Sequence, residues 1–272
     1  MSTVKAPTLW EYFWTVHRRL WGYRVGNALF FQPAVDKDGR AVKLQPLFGR
    51  LNQLIMERGW SPPWIMTKDE CEAYWRSRDN LSDGNRPSMF ATKDLGIIRF
   101  MHGFWSPEVG RGDHILELGS NCGANLNGLR QLGYTCLSGV EINGNALDEM
   151  KRSFPELAPS STITMMPIDE YLRAAPSGSV DVIYTMAVSH HIHPALNDVF
   201  RHMARVARRY VCLVETEVAN CTYQFARDFR RIFERVGCTQ VRSAIPSDID
   251  PSLDYGGYVA RLFAVPHSPV GA

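Results

Sequence analysis

The sequence predicts an α/β protein with a mostly parallel seven-stranded sheet that ends in an antiparallel hairpin, preceded by a mainly helical cap. Three observations carry this expectation. From residue 113 onward, short apolar runs alternate with segments of helical period, the pattern of strand-helix-strand units. The last two strand-like runs have no helix between them, which implies an antiparallel pair. Residues 1–112 have another texture, rich in tryptophan and proline and without strand alternation.

The parallel strands are read at His114-Ile-Leu-Glu-Leu118, Cys136-Leu-Ser-Gly-Val140, Ser161-Thr-Ile-Thr-Met165, Val180-Asp-Val-Ile-Tyr184 and Tyr210-Val-Cys-Leu-Val214. After Pro194, Leu196, Val199, Phe200, Met203 and Val206 keep a 3.6-residue period, so a helix with one sheet-facing side is expected there. Phe225, Phe229, Ile232, Phe233 and Val236 repeat the pattern before Gly237, a plausible helix stop. Cys238–Ser243 and Gly257–Val265 supply the terminal hairpin. In the cap, Leu47, Leu51, Leu54 and Ile55 mark an amphipathic helix, and Thr67-Lys-Asp-Glu70 has the spacing of a capping box. The division expected is a cap over 1–112 and a ligand-binding domain over 113–272.

With 272 residues, 45% of them hydrophobic, the chain can bury one sizeable core. A net charge of +2 is too mild to argue for nucleic acid. The six cysteines form no CxxC pair and read as reduced core residues, so neither a disulfide frame nor a metal site is expected. Residues 1–20 lack the pattern of a secretory leader, and no stretch reaches the roughly 18 apolar residues of a membrane span. A cytoplasmic protein with no membrane partner is the expectation.

The chemistry is concentrated at the ends of the predicted strands. Glu117-Leu-Gly-Ser-Asn-Cys-Gly123 sets a tight glycine turn between a strand and a helix, where backbone can approach a ligand and helix N–H groups face it. Alone this implies only a nucleotide-like ligand. Glu141, at the end of the second strand, can accept hydrogen bonds from both hydroxyls of a ribose. Asp169, after the third, is placed to bind an adenine amino group while Ile168 packs on the ring. The fourth strand runs into Ser189-His-His-Ile-His193 at the same sheet edge.

ELGSNCG at 117–123, VEIN at 140–143, PIDEY at 167–171 and DVIYTMAVSHHI at 181–192, in this order, resemble the motifs of class I S-adenosylmethionine (SAM) dependent methyltransferases. The resemblance spans about residues 113 to 265. It implies a Rossmann-like fold, SAM as cofactor and S-adenosylhomocysteine as product. A narrower likeness is to the methylases associated with pseudaminic acid and other surface-sugar pathways, through the segments Tyr74–Asn80 and Glu117–Leu126. It implies that Arg78, beside Tyr74, meets the SAM carboxylate, a match of guanidinium to carboxylate. One departure is Asn121, where the loop usually has a glycine; asparagine tolerates positive φ better than most residues.

The cofactor set so implied is Tyr74, Arg78, Glu117, Gly119, Ser120, Asn121, Gly123, Asn125, Glu141, Ile142, Ile168, Asp169, Thr185 and Met186. For catalysis the candidates are His191 as general base, then His190, with Glu217 weaker; a neutral imidazole can take a hydroxyl proton. Each histidine is equally readable as an ordinary polar residue at a strand end. Arg227, Arg230 and Arg231 read as the solvated outer face of a helix, with a phosphate contact as the alternative. The expected acceptor is a small molecule, a sugar or natural-product intermediate methylated on oxygen or nitrogen, and the cap offers a surface for a homodimer. A protein or nucleic-acid acceptor, a non-catalytic SAM-binding scaffold and an NAD-dependent oxidoreductase remain the alternatives.

Overall fold

The structure, a computed structural model, describes residues 47–62, 65–77, 86–92, 96–218, 222–253 and 257–266. The cap is described from residue 47, so its earlier aromatic residues lie outside the described residues. Its helices are α1 (Leu47–Glu57), α2 (Lys68–Arg76), α3 (Pro87–Ala91) and α4 (Gly96–Trp105). The capping box forms: Thr67 accepts from the Glu70 amide at 3.3 Å and the Glu70 carboxylate accepts from the Thr67 amide at 2.8 Å.

Seven strands follow: β1 (His114–Leu118), β2 (Cys136–Glu141), β3 (Ser161–Met165), β4 (Val180–Met186), β5 (Ala207–Thr216), β6 (Thr239–Ala244) and β7 (Tyr258–Ala264). Their order is β3-β2-β1-β4-β5-β7-β6. The first five are parallel, and β7 inserts between β5 and β6, antiparallel to both. Strand order reverses between β1 and β4, which makes the carboxyl ends of these two strands the place where loops part and a ligand can enter.

The crossovers run through α5 (Ala124–Gln131), α6 (Gly144–Ser153), α7 (Ile168–Ala174) and α8 (Asp198–Val206), with α9 (Phe229–Arg235) after β5. Side-chain alternation divides the core into two faces. Ile115, Val182, Tyr184, Cys212 and Val214 pack under α4, α5 and α6, with Trp105 fully buried. Leu116, Leu118, Ile183, Val211 and Leu213 pack under α7, α8 and α9. Val199, Phe200, Met203 and Val206 turn inward on α8 as their spacing predicts. Among the described residues no helix is long and apolar enough to cross a membrane.

Three readings are corrected. The apolar stripe expected to bury α1 does not do so: Leu51 is 51% and Leu54 36% exposed, whereas Asn52 and Met56 are buried. The reason is polar. Glu57 is drawn inward to accept from the Asp228 amide at 2.9 Å and to pair with Arg231 at 2.5 Å, and Asn197 donates to the Met56 carbonyl at 2.7 Å. These bonds fix the helix's rotation. The helix expected from Phe225 begins at Phe229, because Asp228 caps it by accepting from the Arg231 amide. Arg227 therefore precedes the helix, and it is fully buried instead of solvated.

Glu57→Ala leaves the Arg231 guanidinium and the Asp228 amide without their acceptor, so a loss of about 1–3 kcal/mol is expected. Urea unfolding of the two proteins measures it; equal midpoints would show that apolar packing alone seats α1.

Candidate active site

A cavity of about 370 Å³ opens over the carboxyl ends of β1, β2 and β4. One end is lined by Glu141, Ile142, Asn143, Pro167, Ile168 and Asp169, the floor by Gly119 to Cys122 and Asn125, and the other end by Met186, Val188, His191, His193, Trp75, Tyr223 and Tyr258. Lys68, Glu72 and Phe90 of the cap also border it.

The floor is a turn that side chains would block. Gly119 has φ +70°, and a Cβ there would stand 2.7 Å from Val188. Asn121 takes φ +48°, and its Oδ1 accepts from the Cys122 amide at 2.7 Å, which accounts for a non-glycine residue there. Gly123 has φ +74° and opens α5; it packs toward Leu157 and does not line the cavity.

Glu141 is 8% exposed and holds the two neighbouring turns together. Oε1 accepts from the Ile142 and Asn143 amides, both at 2.9 Å, and Oε2 from the Asn121 amide at 2.7 Å. A carboxylate offers about four acceptor sites. Glu141 Oε2, with a single donor, keeps acceptor capacity toward a ligand hydroxyl. Burial holds its pKa above the ordinary value.

Glu117 lies outside the lining, but Asn125, which is part of it, donates to Oε1 at 2.7 Å. Oε2 is buried with no hydrogen-bond partner among the described residues, as is the hydroxyl of Ser120. Burial pushes the Glu117 carboxyl up to about 8, against the opposing bond from Asn125 and with the help of the nearby Glu141. Asp169 sits in the first turn of α7, 3.5 Å from Arg173.

At the other end, the chain leaves β4 through Ala187, a non-glycine residue at φ +55°, into a 3₁₀ turn over Ser189–His191. The carboxylate of Glu215, on β5, organises that turn. It accepts from the amides of Val188, Ser189 and His190, from the Thr185 hydroxyl at 2.8 Å, and from His190 Nδ1 at 2.5 Å. His191 Nδ1 donates to the Tyr223 carbonyl at 2.9 Å, since a carbonyl only accepts. That sets the proton on Nδ1 and leaves Nε2 as the acceptor nitrogen of the neutral ring. Trp75 lies 4.5 Å and Tyr223 5.7 Å from it, centroid to centroid.

Gly119, Ser120, Asn121, Asn125, Glu141, Ile142, Ile168, Asp169, Met186 and His191 thus meet around one cavity. Others do not line it. Thr185 points to the opposite side of β4 from Met186 and binds Glu215 and Ser189. His190 is buried against Glu215. Glu217 is held by Arg261 at 2.8 and 2.9 Å and by the Phe229 amide, which directs it into the fold. Tyr74 packs on Tyr223 at 4.7 Å, behind Trp75. Arg78 lies outside the described residues.

Sequence reasoning gave no specific place to Trp75, Tyr223, Tyr258 or Ala187. His193, grouped there with its neighbours, has a buried ring whose Nδ1 accepts from the Ala195 amide; burial pushes its pKa down to about 4, so it stays neutral.

The Glu117 carboxyl gives a pH signature. Folded, it holds its proton up to about 8, whereas the unfolded chain loses it near the ordinary 4.5. The folded form thus binds more protons between these values, and this contribution to stability, complete at low pH, declines as pH rises through that window. Glu117→Gln is expected to flatten the decline between about pH 5 and pH 8 in denaturant midpoints; an identical decline in both proteins would assign it to other groups.

Residues 115–209 match a family model described as a methyltransferase domain. No curated protein sequence matches the chain. Solved structures match by fold. The Haloferax volcanii complex of the Trm112 methyltransferase activator with a putative methyltransferase aligns with TM-score 0.56 at 12% identity, covering 76% of this chain and 100% of that one. Magnesium protoporphyrin IX methyltransferase from Synechocystis, with S-adenosylhomocysteine bound, gives 0.55 at 14% identity over 73% and 100%. Geranyl diphosphate C-methyltransferase from Streptomyces coelicolor gives 0.51 at 11% over 72% and 97%. The match over residues 115–209, about a third of the chain, and the fold shared with these structures together support a SAM-dependent methyltransferase.

Proposed function

We propose that this enzyme methylates an oxygen or nitrogen of a small molecule, a sugar or natural-product intermediate, with His191 as general base. The observation that carries the reading is the single cavity joining the acidic residues after β2 and β3 to His191 after β4.

The residues fit the cofactor. The partnerless Oε2 of Glu117 and the Ser120 hydroxyl are buried polar atoms beside a turn where backbone can come close, which suits the amino-acid part of SAM. Glu141 would take one ribose hydroxyl, and Ile168 and Asp169 would hold the adenine. When bound, SAM supplies a sulfonium-activated methyl group, so the protein's work is mainly alignment.

At the acceptor end, Trp75 and Tyr223 line the cavity beside His191, aromatic side chains of the kind found in pockets for sugars and flat natural products. Nε2 of His191 receives the proton that the acceptor hydroxyl or amine releases as its new bond to carbon forms, and the Tyr223 carbonyl steadies the imidazolium at Nδ1. His193, neutral in the same wall, adds polarity without charge. A surface-sugar acceptor is further supported by the likeness of Glu117–Leu126 to that group of methylases. The reading includes action in the cytoplasm, consistent with Cys122, Cys136, Cys212 and Cys238 standing outside any disulfide.

Calorimetry with SAM and S-adenosylhomocysteine tests the cofactor site; absence of binding to both would sink the reading. Glu141→Ala is expected to weaken SAM at least about tenfold, or about 1.4 kcal/mol, and to lower the melting temperature, because three amides lose their acceptor. Unchanged affinity would remove Glu141 from the ribose.

His191→Ala should cut turnover of a sugar acceptor by about 10²–10⁴ while leaving SAM affinity within about twofold. Equal rates would remove His191 as the base.

A further inference from the structure

Arg227 is fully buried, yet among the described residues it forms no ion pair within salt-bridge distance. Its Nη1 donates to the carbonyls of Ser189 at 3.4 Å and Phe225 at 3.3 Å. Nη2 donates to the Ile192 carbonyl and to Asn197 Oδ1 at 2.8 Å, and Nε to the same Oδ1 at 3.2 Å. The rings of Phe200 and Phe225 lie 5.3 and 5.7 Å from the guanidinium carbon. Burying a cation in this way is costly, and desolvation pushes its pKa down to about 9. An apolar side chain would fill the space at lower cost, so the guanidinium's bonds are what distinguish it.

Those bonds converge on one element. The turn over Ser189–His191 gives its amides to the Glu215 carboxylate and its carbonyls, at Ser189 and just beyond at Ile192, to Arg227. An anion at the amide end and a cation at the carbonyl end match the direction of the peptide dipoles. Arg227 also fastens the segment after Tyr223 to the turn: the Phe225 amide donates to the His190 carbonyl at 2.8 Å, and the Phe225 carbonyl accepts from Arg227 itself. This lacing sets the Tyr223 carbonyl opposite His191 Nδ1.

We propose that Arg227 is a positioning residue, which holds the Ser189–His191 turn in register with Tyr223–Phe225 and thereby fixes the His191 ring in its Nδ1–H tautomer. The role rests on the reading of His191 as the base, but its consequence for the ring is measurable without any acceptor. A guanidinium forked between three carbonyls and an amide oxygen is not replaced by an ammonium, which lacks the planar fork.

The test uses the full chain labelled with ¹⁵N-histidine, at about pH 8 where a free imidazole is neutral. Long-range ¹H–¹⁵N correlations report the tautomer, and the pattern missing from H191Q identifies His191. In the unmodified chain His191 is expected as a single Nδ1–H form. R227Q should show both tautomers, and R227K a smaller share of the second. SAM affinity by calorimetry should stay within about twofold in both variants.

A single Nδ1–H form in either variant would overturn the proposal, so R227K suffices if R227Q does not fold. A loss of SAM affinity in step with the tautomer change would overturn it too, since Arg227 would then be supporting the whole site. The base assignment fails separately: a tautomer change alongside undiminished transfer by H191A keeps the role of Arg227 and removes that of His191.

Discussion

The buried carboxylate of Glu215 is the fixed point of the site. Its side chain is 1% exposed, and a carboxylate taken out of water to that degree must have its acceptor positions filled. The donors within reach are the amides that follow β4, so the chain there must fold back over the end of β5. The positive φ of Ala187 is the local cost of doing so, about 1–3 kcal/mol for a residue in that region. Met186 and His191 are carried to the cavity by that reversal, while Thr185 is turned away from it.

The same device is used at the opposite end. Glu141 accepts from one amide of the β1 turn and two of the β2 turn, so two loops separate in sequence share one carboxylate. The cavity walls are therefore held by buried anions gathering backbone N–H groups, and apolar packing works mainly beneath them, on the two faces of the sheet. This division explains how loops can keep a fixed shape while remaining open to a ligand.

The central strands β1, β2 and β4 and the second half of β5 were legible because they are buried on both faces, and a continuous apolar run bounded by turns has few other readings. β1 and β3 coincide with their expected spans, and β6 and β7 lie within a residue or two. What depends on distant partners was not legible. Glu217 looked like an acid at the ligand edge, and only the fold reveals Arg261 beside it. The stripe Leu51, Leu54 and Ile55 obeys the helical period, yet the ion pair of Glu57 with Arg231 decides which side of α1 turns inward. Arg227 stands three residues before the exposed Arg230 and carries no local mark of burial. Trp75 and Tyr223 meet through tertiary contact alone, and no spacing links them.

The acidic side chains have a further consequence for what the cavity binds. Glu141 and Asp169 line one end and Glu117 lies beneath the floor, with its carboxyl held protonated up to about 8 by burial. A cation brought against Oε2 of Glu117 favours the ionised carboxyl and so draws off the proton. Affinity for a cationic group at that point must then rise with pH until the carboxyl ionises unaided, and more slowly beyond. A neutral or anionic group placed there gains nothing from the same change. On the proposed reading, in which the amino-acid part of SAM lies against Oε2, Glu117 would discriminate by charge through its own ionisation.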